Sequence, residues 1–112
     1  AGGAQLILSQ TNNADFGYSD ETFQQAGIAQ LRAIETGRAV VNTSTVGLSA
    51  IYLPTGEVLS ELEWYQPGAM VEQVPLFDHT TPAMVVGAGF EYLNGAVVIG
   101  LIALFRIRKT RR

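Results

Sequence analysis

The stretch LRAIETGRAVVNTSTVGLSAIYLPTGEVLSE, residues 31–61, carries the reading of the fold. It opens as the end of a helix. Gly37 is a natural stop, because glycine enters the left-handed region without the clash a Cβ brings, and Arg38 beside it suits the negative end of the helix dipole. Residues 39–45 (AVVNTST) are rich in β-branched side chains and read as a strand. Gly47 interrupts, and residues 48–53 (LSAIYL) form the next strand. In PTGE, Pro54 and Gly56 stand where a tight turn needs them, so residues 57–62 return antiparallel.

Upstream, residues 5–9 (QLILS) are a short apolar run and read as a buried strand. The loop QTNNADFGY follows and closes at Gly17. Ser19 reads as a helix N-cap, with Asp20 and Glu21 in the first turn. Phe23, Gly27, Leu31 and Ile34 recur at i, i+4, i+8 and i+11, which predicts them as the buried face of the helix. Arg32 and Glu35, three residues apart, are expected to pair and to hold the helix to the sheet. Downstream, residues 69–74 read as a further strand. A strand, a helix and a run of strands predict an α/β layered fold with the helix packed on the sheet.

A chain of 112 residues suits one small domain. Hydrophobic residues make up 47% and charged residues 15%, well below the usual quarter, which points to heavy burial or a membrane. Five of the seven Lys and Arg (Arg106, Arg108, Lys109, Arg111, Arg112) fall in the last seven residues. Residues 1–105 therefore hold all ten acids against Arg32 and Arg38, a net charge of −8. An acidic body with a basic end is not a nucleic-acid-binding pattern, which needs basic residues spread over a folded face. With no cysteine, disulfides and thiolate metal sites are excluded. The opening AGGAQLIL reads as a helix end or loop running into a strand, with no basic leader, and the expectation is a fragment that has lost a preceding segment.

After Pro82 the composition changes. Residues 83–105 hold no basic residue and one acid, Glu91, with Asn94 the other strongly polar side chain. Residues 92–105 would span about 21 Å as a helix, short of a bilayer core of roughly 30 Å. Extending back to Val85 gives a spanning length. A buried core helix is the alternative, and the basic cluster RIRKTRR just beyond decides for a transmembrane helix with a cytoplasmic end. The expected organisation is residues 1–82 as folded domain, 83–105 as transmembrane helix and 106–112 as basic cytoplasmic tail. Phe90 and Tyr92 would then sit at the far interface, and the acidic body lies outside the cytoplasm.

Residues able to carry chemistry are few. His79 is the one imidazole. It stands beside Asp78, which can orient a base, but a nucleophile would have to be Thr80, Thr81 or a distant serine, and a lone loop histidine reads first as solvated. Glu57, Glu61 and Glu63 alternate along a strand edge and read as a solvated face. Glu91 can reach water from a membrane boundary, although ionisable residues there often have a partner. GAGFEYLNG opens no strand–loop–helix unit and is no phosphate loop. The loop TNNADFG is the best local candidate. It follows a strand and precedes a helix, at the sheet end where α/β folds bind ligands. Asn12 and Asn13 offer uncharged donors and acceptors there, or else satisfy the backbone of the turn.

The order LILSQTNNADFG, then RAIETGR on a helix, then VVNTSTVGLSAIYLPTGEVL resembles the second half of a carbon–nitrogen hydrolase (nitrilase-superfamily) domain. Within that superfamily it is most similar to the apolipoprotein N-acyltransferases, especially their actinobacterial form. TNNADFG resembles their Asn-rich segment ending in Phe-Gly. VPLFDHTTPAM, followed by an apolar helix and a basic tail, resembles their return to the membrane, which soluble nitrilases lack. The resemblance covers essentially the whole chain. It implies an αββα sandwich and a Glu-Lys-Cys triad. The cysteine takes an acyl chain from a phospholipid as a thioester and passes it to the α-amine of a lipoprotein's lipidated N-terminal cysteine. Within the candidate loop, Asn12, Asn13 and Phe16 are the expected substrate-binding residues; no residues have metal-ligand spacing, and neither a metal nor a cofactor is expected. The partners the resemblance implies are the phospholipid donor, the lipoprotein N-terminus and the plasma membrane. All three triad residues are expected before Ala1, and neither Lys109 nor Glu35 substitutes for one. The sequence departs from the commoner pattern at Asp15, where a larger or neutral residue is usual, which counts against direct contact of this loop with an acyl chain. Two other readings stay open: a non-catalytic, membrane-anchored binding or scaffold module, and a soluble amidase-type relative whose last helix packs in a core or dimer interface.

Overall fold

In the computed structural model, which describes residues 3–110, the chain divides into two units, Ala1–Thr81 and Pro82–Arg112. The first unit is built on four strands, β1 (Leu6–Thr11), β2 (Ala39–Ser44), β3 (Ser49–Tyr52) and β4 (Val58–Leu62), in one sheet of order β1-β2-β3-β4. β1 and β2 run parallel, from Leu6 opposite Ala39 to Thr11 opposite Ser44. A parallel pair needs a crossover, and helix α1 (Glu21–Thr36) supplies it. The later pairs are antiparallel. The β3–β4 turn is closed by Gly56 N donating to Leu53 O (2.8 Å) and Leu53 N donating to Glu57 O (2.8 Å). The mixed α/β class and four of the five expected strands are therefore present, each within a few residues of its expected bounds.

The face α1 buries is not the expected one. Thr22, Ala26, Ala29 and Ala33 face inward, where Ala29 and Ala33 pack with Val40, Ala50, Tyr52 and Ile7. Phe23, Leu31 and Ile34 remain exposed. Close approach of helix to sheet selects small residues at the contact, because Val40 and Tyr52 already fill the space between the layers. The large residues form a flank instead. Phe23 meets Trp64 edge-on at 5.0 Å, and Ile34 lies over Gly56, where a Cβ would fall 2.8 Å from Ile34 Cδ1.

Three smaller expectations also change. Ser19 does not cap α1. Asp20 holds the cap position in helical conformation, makes no side-chain cap bond, and its carbonyl accepts from Gln24 N (3.1 Å). This leaves Ser19 one residue too early, with its Oγ buried and unpartnered. Residues 69–74 form no strand: Val71 is 94% exposed, and no ladder among the described residues takes up the segment's backbone groups. Arg32 and Glu35 do pair, Nη1 to Oε2 at 2.7 Å, but on the solvent side, so they brace the helix surface and do not bind it to the sheet.

What fastens the end of α1 is Arg38. Gly37 takes the left-handed cap conformation (φ 63°), and Arg38, 7% exposed, turns its guanidinium inward. Nε donates to Ala4 O (2.7 Å), and Nη1 donates to Gly37 O (3.2 Å) and to His79 O. One buried cation thus collects carbonyls from the entry to β1, the helix end and the segment before the second unit, which suits a charge that must be hydrogen-bonded when buried.

The second unit is a single helix, α2 (Pro82–Thr110), of 29 residues. Proline at its first position loses no intrahelical bond. The span Pro82–Lys109 is long and apolar enough to cross a membrane, and none of its apolar window is buried. Its length, about 43 Å, exceeds a bilayer core of roughly 30 Å. The last turn carries Arg108 and Lys109, while Arg111 and Arg112 lie outside the described residues.

Candidate functional site

The amide-rich loop leaves β1 at the end of the sheet and winds through a short 3-10 turn, Ala14–Phe16. Its two asparagines have different environments. Asn13 is 2% exposed. Its Nδ2 donates to Gln25 Oε1 on α1 (2.9 Å), and its Oδ1 accepts from Ser44 Oγ at the end of β2 (2.5 Å). Asn12 is exposed, and its Oδ1 accepts from Thr45 Oγ1 (2.8 Å) and Ala14 N (3.2 Å). Phe16 is half-buried, and its N–H donates to Asn13 O (3.1 Å). The structure therefore brings the three residues together on one turn. Asn13 serves as an internal lock, whereas the Nδ2 of Asn12 has no acceptor among the described residues.

The opposing wall is the β2–β3 connection. Ser44 Oγ also accepts from Gly47 N (3.0 Å), and Ser44 N donates to Ser49 Oγ (2.9 Å). Gly47 is required by proximity, since a Cβ there would fall 2.5 Å from Ser44 Oγ and 2.7 Å from Asn13 Cγ. Asn42, 2% exposed, donates from Nδ2 to Leu48 O (3.1 Å). Beside this turn lies a groove of about 490 Å³, with Val41, Ile51, Leu62 and Met70 as apolar lining and Ser44 and Ser49 as hydroxyls. That volume is within the range of small-ligand sites.

An aromatic cluster, which the sequence pattern did not single out, borders the same loop. Tyr18 stacks on Tyr65 (centroids 4.2 Å apart, planes at 20°). Trp64 meets Tyr18 edge-on at 5.3 Å and Phe23 at 5.0 Å. These residues come from the loop exit, α1 and the segment after β4, so no local periodicity marks them. The one available signal is the adjacent Trp64-Tyr65 pair straight after a strand.

The remaining expected groups lie apart from this constellation or are otherwise engaged. His79 is exposed, with its ring edge-on to Phe77 at 5.9 Å, and no hydrogen bond or ion pair joins it to Asp78 among the described residues. Thr81 Oγ1 donates to Glu35 O (2.5 Å) and straps the segment to α1. Glu57, Glu61 and Glu63 are exposed. Burial raises the Tyr52 hydroxyl above its usual 10.0, and the Glu61 carboxylate adds to the shift. Glu91 lies on α2, exposed.

No protein-family model matches the chain. Curated relatives do. The chain is 41% identical over 107 residues to the apolipoprotein N-acyltransferase of Mycolicibacterium smegmatis, covering 94% of this chain and 17% of that protein. It is 36% identical over 104 residues to the apolipoprotein N-acyltransferase of Gloeobacter violaceus, covering 92% and 20%. For that of Nitrosomonas europaea the figures are 31% over 108 residues, covering 95% and 22%. The chain thus spans about a fifth of the length of the curated relatives it matches. The similarity runs through body and apolar helix alike, and what the chain is similar to, over more than nine-tenths of its own length, is a stretch of the apolipoprotein N-acyltransferases.

Proposed function

We propose that this chain is the scaffolding part of a membrane N-acyltransferase. That enzyme moves an acyl chain from a phospholipid to the lipidated N-terminal cysteine of an apolipoprotein. The observation that carries the reading is the 41% identity over 94% of the chain to an apolipoprotein N-acyltransferase. An α/β body followed directly by an apolar helix supports it.

The chemistry proceeds in two steps. A cysteine thiolate attacks the phospholipid ester carbonyl, the ester C–O bond breaks, and the alcohol leaves with a proton from a glutamic acid. The lipoprotein α-amine then attacks the thioester, gives a proton back to the glutamate, and the C–S bond breaks to restore the thiolate. A lysine helps hold the oxyanion in both steps. The chain contains no cysteine, so the thioester forms on a residue outside it, and the triad as a whole is assigned there. The chain by itself is inactive on this reading.

Its own residues provide the sheet end against which that triad works. Asn12 and Phe16 present the loop to substrate, and Asn13 fixes the loop's shape. Leu8, 73% exposed on the sheet face opposite α1, supports a sandwich in which a second sheet covers that face. The acidic body lies outside the cytoplasm and the basic end of α2 inside it, following the bias of basic residues toward the cytoplasmic side.

The test is to incubate the purified chain in phospholipid micelles with a diacylglyceryl-modified peptide, beside a full-length relative. The relative is expected to acylate the peptide and to carry a hydroxylamine-sensitive acyl group. The chain alone is expected to show neither. Acyl transfer by the isolated chain would overturn the assignment.

A further inference from the structure

Among the described residues Tyr65 is the one non-glycine residue at positive φ, 58°. For a bulky side chain this region is a true outlier, and such strain persists only where the surroundings over-determine it. Here the determinants can be named. The Tyr65 ring is stacked on Tyr18 and tilted against Trp64 at 5.5 Å. Its N–H donates to Val46 O (3.2 Å), and Gln66 N donates to Glu63 O (3.3 Å) to close the turn around it.

The two segments Tyr65 grips are the two walls of the candidate site. Tyr18 directly follows Gly17, the last residue of the amide loop, and Val46 lies between Thr45 and Gly47 in the β2–β3 connection. Those walls are already joined across the site by Asn12 with Thr45 and Asn13 with Ser44. Tyr65 adds a third tie from the side and also lines the groove next to Ser44 and Gly47. A glycine or asparagine at position 65 would adopt the same turn with less strain, so the turn alone does not call for tyrosine.

From this geometry we infer that Tyr65 is a positioning residue of the acyl-transfer site. Its ring, held in a left-handed turn by Tyr18, sets the amide loop against the 44–47 connection. The inference rests on the acyltransferase reading. It concerns how the loop is placed and assigns Tyr65 no contact with the reacting atoms. Misplacing a site element by about 1 Å can cost on the order of 100-fold in rate.

The experiment uses the full-length acyltransferase containing this segment, with Tyr65→Gly, Tyr65→Asn, Tyr65→Phe and Tyr18→Ala. Gly and Asn keep the turn without the ring, Phe keeps the ring without the hydroxyl, and Tyr18→Ala removes the stacking partner without touching the turn. Expected are melting temperatures for Tyr65→Gly and Tyr65→Asn at or above that of the unaltered enzyme. Their kcat for transfer to a diacylglyceryl peptide is expected to fall about tenfold or more, with KM within about twofold and Tyr18→Ala following them. Tyr65→Phe should restore kcat to within about twofold. If kcat holds in the Gly and Asn variants, or falls only in step with melting temperature, the positioning role is overturned. A Phe variant as slow as Gly would also overturn it, because the hydroxyl would then be the active part. If a variant does not accumulate, Tyr18→Ala with its kcat-against-KM split decides alone. An unaltered enzyme that transfers no acyl chain would instead contradict the acyltransferase reading itself.

Discussion

The two faces of the one sheet have been built to different ends. On the α1 side, Val40, Ala50 and Tyr52 are closed over by Ala29 and Ala33, with nothing larger than a methyl group on the helix at those contacts. On the other side, Ile51 is buried while Leu8, two residues along β1 from the part-buried Leu6, stands open to solvent. The first face is covered at its centre by α1, with a groove left beside Ile7, Ser9 and Ile28, whereas the second has no helix of the first unit on it among the described residues and leaves Leu8 exposed. A small-residue interface fixes the distance between helix and sheet and leaves little room for additions. The chain's spanning only about a fifth of its curated relatives is in keeping with that asymmetry.

The largest difference between the two faces is expected from Leu8→Asp, measured in two settings. In the isolated chain, unfolded by denaturant in detergent, the change is expected to cost less than about 0.5 kcal/mol, as at an exposed site. In a full-length enzyme, where a second sheet would cover the position, the expected cost is about 3 kcal/mol. Equal, small losses in both would remove the second layer from the account. On the closed face, Ala33→Leu is expected to destabilise the isolated chain by about 1–3 kcal/mol through overpacking. A neutral result in the same titration would mean that α1 is not held close to the sheet. Of similar or smaller size is Asn13→Ala, which strands the Ser44 hydroxyl and the Gln25 amide; about 1–2 kcal/mol is expected, read from the same curves.

Two weaker effects distinguish buried from exposed chemistry. Tyr52 on the closed face has its hydroxyl pushed above 10.0, first by burial and then by Glu61. The folded state therefore keeps this proton at a pH where the unfolded chain has released it. Its stabilising contribution is complete below pH 10 and is lost as pH rises through the higher folded value. Melting temperature should fall more steeply above pH 10 in the unaltered chain than in Tyr52→Phe; identical slopes would place Tyr52 in solvent. Smallest of all is Arg32→Ala, which breaks an exposed i,i+3 pair. Less than about 0.5 kcal/mol is expected, shrinking with added salt, and a larger loss would restore the idea that the pair binds the helix to the sheet.

Local chemistry made much of this legible beforehand. β-branched runs, the Pro54–Gly56 turn and the Gly37 stop mark β2, the β3–β4 hairpin and the end of α1 because each acts within a few residues. The buried face of α1 was misread because periodicity was weighed by side-chain size. The sheet instead accepted the Thr22-Ala26-Ala29-Ala33 stripe, for the reason that close packing selects what is small. Residues 69–74 have strand-like composition, yet backbone groups need a neighbouring strand, which composition cannot supply. At the candidate site, the residue types in TNNADFG marked the right loop. Which asparagine is locked and which is accessible depends on Gln25, Ser44 and Thr45, whose positions only the fold determines. Tyr65 was invisible for the same reason: its significance lies in a backbone angle and in a ring from Tyr18, 47 positions earlier.

The most direct test of the central claim is a chimaera. The corresponding segment of the M. smegmatis apolipoprotein N-acyltransferase is replaced by this chain, and N-acylation of apolipoproteins is measured by mass spectrometry in cells lacking their own enzyme. The expected result is apolipoproteins carrying the amide-linked acyl chain, because this chain supplies the scaffold while the rest of the enzyme supplies the cysteine. A chimaera that accumulates in the membrane yet leaves every apolipoprotein N-terminus unacylated would contradict it.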